Sequence, residues 1–90
     1  MVADKKKILR LLKTARGQID GLIKMVEEDR YCIEISNQLL ASQAILRAAD
    51  KEIIHAHLKG CVKDAFEKAD ETEKQQKIEE IIQIIDKMAK

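Results

Sequence analysis

Apolar residues recur at three- and four-residue steps from Ile8 through Leu11, Leu12, Ala15, Ile19, Leu22 and Ile23 to Val26, the spacing of one stripe on a helix. Asp4 stands where an N-cap belongs, and the run Glu27, Glu28, Asp29, Arg30 offers no apolar residue to carry the stripe on. A first helix is expected between them. Gly17 and Gly21, four apart within it, each cost roughly 1 kcal/mol relative to Ala and point to a place where another backbone comes close.

A second pattern covers residues 32–62 through Cys32, Ile35, Leu39, Ala41 or Ser42, Leu46, Ala49, Ile53, Leu58 and Cys61, with no breaker before Gly60. It predicts a helix of about 30 residues, roughly 45 Å long. One small monomer cannot cover that length, so the seam asks for a partner chain. After a polar stretch over residues 68–74, Ile78, Ile81, Ile82, Ile85 and Met88 define a third helix of about four turns. Its acidic start at Asp70, Glu71 and Glu73 suits the positive end of the helix dipole. The expected fold is all-α, a three-helix protomer in a single domain over residues 1–90.

Composition strengthens the helical reading. The chain has no Pro or Trp, one Phe and one Tyr, so its 46% apolar content is mostly Ile, Leu, Val, Ala and Met. A lone chain of 90 residues buries only about 60 to 65% of its unfolded surface, which again favours oligomerisation. No stretch approaches the roughly 18 apolar residues of a membrane span, and residues 1–7 are polar rather than signal-like, so a cytoplasmic location without a membrane partner is expected. Two Cys do not make a secreted disulfide scaffold; in a reducing compartment they are inert, metal-binding or redox-active.

The candidate chemistry centres on His57 and Cys61. Four residues apart on one helix, they share a face and can bind one ion, with Cu(I), Zn(II) or Ni(II) suited to a thiolate and an imidazole. Cys32 lies 29 residues before Cys61, about 43 Å away along a continuous helix, so the two cannot share an ion within one chain. They can meet if two copies of the long helix pack head to tail, and twofold symmetry then makes two such sites. His55 faces the other side of the helix from His57 and reads as a surface residue.

The run Glu27, Glu28, Asp29, Arg30, Tyr31, Cys32, followed by Gln38, Ala41 and Ala44 and then by His57 and Cys61, resembles the copper-sensing CsoR family of transcriptional repressors, as do Gly17, Gln18, Ile19 and Gly21. The resemblance implies a three-helix protomer, an antiparallel four-helix-bundle dimer, a dimer of dimers, and Cu(I) bound between subunits by Cys32, His57 and Cys61. It further implies an apo form bound to operator DNA and released by metal, which turns on efflux genes. Two thiolates and one imidazole form a soft set that favours Cu(I) over harder divalent ions. Tyr31 is similar to a tyrosine that, in the family, joins the ligand imidazole and a carboxylate of the last helix; Glu73, Glu79 and Glu80 are the candidates for that carboxylate.

Charge is uneven along the chain. Residues 1–24 hold seven Lys or Arg against two acids, about +5, and residues 64–90 hold five against eight, about −3. No helix-turn-helix, zinc-finger or basic-zipper pattern is present, so DNA would be held by basic surfaces: Lys6, Arg10, Lys13 and Arg16 on the first helix, and Arg47 and Lys51, with Lys59 and Lys63, on the second. The chain departs from the family at Leu11, Thr14 and Asp20, where basic residues are common. Other readings are a persulfide, nickel or cobalt sensor of the same fold, or a copper-storage bundle that never touches DNA. No acid, base or nucleophile constellation suggests an enzyme or a small-molecule substrate.

Overall fold

The computed structural model describes residues 1–68 and 70–89. Helix α1 spans Lys5–Glu27, α2 Cys32–His57, a π-helical turn Leu58–Val62, α3 Lys63–Lys68 and α4 Glu71–Ala89. The π turn and α3 continue α2 without a break, so the expected long second helix runs on to residue 68 and Gly60 lies inside it rather than ending it.

Asp4 caps α1 as expected: its Oδ1 accepts from the backbone N–H groups of Lys6 at 3.0 Å and Lys7 at 3.3 Å. At the other end Arg30 N–H donates to the Met25 carbonyl and Asp29 N–H to that of Val26, the crossed pair of a Schellman motif. That motif needs a left-handed residue, and Asp29 supplies it at φ 53°. The chain reverses there within residues 28–31, laying α2 antiparallel to α1.

The two helices meet on heptad rows. Ile8, Ala15 and Leu22 are buried on α1, with Leu11, Gln18 and Met25 half-buried beside them; on α2 Ser42 and Ala49 are buried, with Ile35, Ala56, Gln38, Ile45 and Glu52 half-buried. Small residues at the centre bring the backbones close, and Ser42 Oγ donates to Gln18 Oε1 at 2.9 Å across the seam. Beyond Ala56 the next two row positions are Lys59 and Lys63, so the apolar seam runs out where the π turn begins. A π turn takes one extra residue and rotates the downstream residues by roughly 100°.

A second set of heptad rows has no partner within the chain. Leu12, Ile19 and Val26 on α1 and Leu39 and Leu46 on α2 are exposed, and in an antiparallel pair these flanking rows lie on the same side of the hairpin. The stripes read from sequence merged these rows with the buried ones. No described side chain reaches full burial. The molecule measures 58 × 28 × 13 Å with a radius of gyration of 17.9 Å, against about 12 Å for a compact chain of this length. Its thickness is that of one helix, so the protomer is a single layer with no interior.

The last helix starts earlier than its isoleucines suggest. Asp70 Oδ1 accepts from Glu73 N–H at 2.9 Å and the Asp70 carbonyl accepts from Lys74 N–H at 3.1 Å, so the acidic start read from sequence is the capped first turn of α4. At Gly17 and Gly21 a Cβ would meet nothing within 4 Å, so neither marks a close approach within the protomer. No described helix is long and apolar enough to cross a membrane.

Asp29→Gly removes the left-handed strain and an acidic charge from a helix C-terminus, and is expected to raise stability by about 0.5 to 1 kcal/mol. Thermal unfolding of the two proteins checks this; an unchanged or lower midpoint contradicts the cap assignment.

Candidate metal site and basic surfaces

His57 is the last residue of α2 and lies against α4. Its Nε2 is 2.6 Å from Glu80 Oε1, and Lys77 Nζ, one turn earlier on α4, donates to Glu80 Oε2 at 3.3 Å. Both Glu80 oxygens therefore have a donor facing them. The His57 bond first, and Lys77 second, hold the Glu80 carboxyl below the ordinary carboxylate range, with partial desolvation opposing them. The stabilisation is complete above that range and lost as pH falls through the lowered value. A neutral His57 that donates from Nε2 keeps its lone pair on Nδ1, free for a metal.

Of the three candidate carboxylates on the last helix, the structure brings Glu80 to His57. Glu73 lies two turns earlier, with its backbone N–H on the Asp70 cap, and its side chain is exposed. Within the protomer it is therefore Glu80 rather than Glu73 that faces His57. Tyr31 is also not brought to His57: it is the 67% exposed N-cap residue of α2, at the opposite end of the hairpin. Cys32 beside it is exposed and free. The length of α2 puts Cys32 about 38 Å from His57 within one protomer. Cys61 belongs to the π turn one turn beyond His57, and its side chain lies outside the described residues. No group of three or more metal-ligating side chains forms among the described residues of one chain. His55 is exposed, as expected.

Lys6, Arg10, Lys13 and Arg16 are exposed on α1. Their mean direction is roughly 160° from the packed Ile8–Ala15–Leu22 row at 100° per residue, so the basic row faces away from α2. Lys6, Arg10 and Lys13 line one shallow groove with Leu9 and Thr14. Arg47 and Lys51 are exposed on α2, Lys51 at the rim of an apolar groove formed with Ile81, Ile84, Ile85 and Met88 of α4. Sequence reasoning missed Lys77 as a second partner of Glu80, although its i,i+3 spacing permits the contact. It also missed the Lys7–Glu52 ion pair between α1 and α2, 2.8 Å long. The half-buried row that holds Glu52 was the available signal.

A helical hairpin with an extra amphipathic helix folded onto the histidine end of α2 defines an all-helical sensor-type protomer, and the comparisons agree. The family model described as metal-sensitive transcriptional repressor matches residues 4–87, and the chain belongs to that family, a class of regulators rather than enzymes. It is similar to the copper-sensing transcriptional repressor CsoR of Mycobacterium ulcerans (strain Agy99), 46% identical over 61 residues that make up 67% of this chain and 52% of the relative. The CsoR of Bacillus subtilis (strain 168) is 34% identical over 87 residues, 97% of this chain and 83% of that protein. The matches span about half the length of the mycobacterial relatives. Among solved structures, the copper-sensing repressor CsoR with Cu(I) from Geobacillus thermodenitrificans NG80-2 superposes with a TM-score of 0.84 at 34% identity, covering 100% of this chain and 94% of that one.

The electrostatics of the site make a prediction for the free protein. A carboxyl-carbon NMR titration of Glu80 should give a midpoint below the usual value of about 4.3. His57→Ala should raise that midpoint more than Lys77→Met does; the reverse order contradicts the assigned causes.

Proposed function

We propose that this chain is a cytoplasmic Cu(I)-responsive transcriptional repressor, whose metal-free oligomer holds operator DNA and lets it go when Cu(I) occupies Cys32 of one copy with His57 and Cys61 of another. The observation that carries this reading is the His57–Glu80 contact. It orients the imidazole, would leave Nδ1 of a neutral ring free for a metal, and ties that ring to a different helix from the one that precedes Cys61. The donor set fits the ion: two thiolates and one imidazole are soft ligands, and no second carboxylate of the described residues crowds His57. A sensor that works through thiols alone has no use for an imidazole held this way.

The exposed apolar rows support homodimerisation. The exposed rows Leu12–Ile19–Val26 and Leu39–Leu46 need a second hairpin, and a head-to-tail copy covers them while setting its own Cys32 and Tyr31 beside His57. Two dimers would join into the tetramer that the resemblance implies. Lys6, Arg10, Lys13 and Arg16, with Arg47 and Lys51, form the phosphate-binding surface, and symmetry multiplies a modest charge per protomer.

His57 carries the signal in this account. A metal held by His57 would change the charge on a ring whose Nε2 faces Glu80, so α2 and α4 would both feel the ion. By linkage, a metal that weakens DNA binding must itself bind less tightly to the DNA complex.

Two measurements test the proposal. Mixing Cys32→Ala with Cys61→Ala subunits should restore about half of the tight Cu(I) sites in each mixed dimer, because one site loses both thiolates and the other keeps all three ligands. No recovery after confirmed subunit exchange means that the ligands are arranged otherwise. His57→Ala should retain Cu(I) binding through the thiolates yet lose most metal-driven release of DNA; full release by that variant means that the cysteines alone do the sensing.

A further inference from the structure

Glu52 occupies the half-buried α2 row Gln38–Ile45–Glu52, a position that an apolar residue would fill to the benefit of the seam. Its Oε1 is 2.8 Å from Lys7 Nζ, and among the described residues this is the one ion pair that joins α1 to α2. Lys7 stands between the two faces of α1. It lies roughly 80° from the packed row Ile8–Ala15–Leu22 and only about 60° round the helix from Arg10. Both side chains are nearly half exposed, 46% for Lys7 and 44% for Glu52, so the ammonium is accessible and its carboxylate partner can be displaced. Three further cations of this end of α1, Lys6, Arg10 and Lys13, form no ion pair with a described residue and line their own groove.

We propose that Glu52 limits how many phosphates α1 can engage, by holding Lys7 out of the basic row. This rests on the reading of α1 as the DNA-binding face. A lysine paired at 2.8 Å offers phosphate no net charge unless its carboxylate lets go, whereas a released Lys7 extends the row by one cation at the edge nearest α2. Glu52 is thus a determinant of operator affinity that touches no DNA. Its place, between the α1 cations and the α2 segment leading to His57, makes that affinity sensitive to the register of the two helices.

The test is the affinity of the full chain for a random-sequence DNA duplex over a salt series, read by fluorescence anisotropy. Wild type is compared with Glu52→Gln, with the charge-balanced double variant Lys7→Gln/Glu52→Gln, and with Asp50→Asn, an exposed acid on the same helix that makes no ion pair with a described residue. Glu52→Gln should bind several-fold more tightly at low salt, with a log–log slope steeper by about 0.9 for each protomer that touches DNA. The double variant should return to wild type, and Asp50→Asn should change the slope less than Glu52→Gln does. The inference is overturned if Glu52→Gln matches wild type, if the double variant keeps the gain, if the double variant binds more weakly and less steeply than wild type, or if Asp50→Asn steepens the slope equally. Failure of the underlying reading shows elsewhere: wild type itself would then bind without salt dependence, and Arg10→Gln would change nothing.

Discussion

The rest of this structure depends on the seam between α1 and α2. Ala15, Ala49 and Ser42 at its centre let two helices approach closely, and Gln18 meets Ser42 across it, which fixes the antiparallel register. Small residues stabilise by close packing but bury little area, so the seam holds a hairpin together without making a core. Five further large side chains, Leu12, Ile19, Val26, Leu39 and Leu46, stand outside it. A layer 13 Å thick is a half-built bundle. The proposed dimer would complete both the bundle and the site, because the exposed rows lie along the same α2 that carries Cys32 at one end and His57 at the other.

The histidine end shows how such a layer can transmit a signal. Helix α2 is tied to α4 through His57 and Glu80 and to α1 through Glu52 and Lys7, with four residues of α2 between the two ties. The π turn comes directly after them, where the heptad rows reach Lys59 and Lys63 and the regular seam stops. A change of charge or position at the imidazole therefore acts on a segment that is no longer clamped by apolar packing, and α1 with its cations lies one contact away.

Much of this was legible in the sequence. The Asp4 cap, the end of the first helix in the run Glu27–Arg30 and the outward face of His55 all stem from local rules, and the structure agrees with each. The features that were not legible depended on rotation and on neighbours. Periodicity near 3.6 merges rows that differ by one helical step, so the buried Ile8–Ala15–Leu22 row and the exposed Leu12–Ile19–Val26 row read as a single stripe. The choice among Glu73, Glu79 and Glu80 needed the start of α4, which Asp70 sets by a side-chain cap rather than by any apolar signal. Gly17 and Gly21 suggested a close approach that the protomer does not contain, because glycine spacing says nothing about which chain would approach.

The exposed rows of the hairpin predict that it is half of a bundle and depends on a second copy. Sedimentation equilibrium of the metal-free chain at micromolar concentration, alongside Leu46→Glu, measures this directly. Wild type is expected to sediment as a dimer or larger, and Leu46→Glu to shift toward monomer with loss of helical circular dichroism. A wild-type monomer that stays fully helical would contradict this.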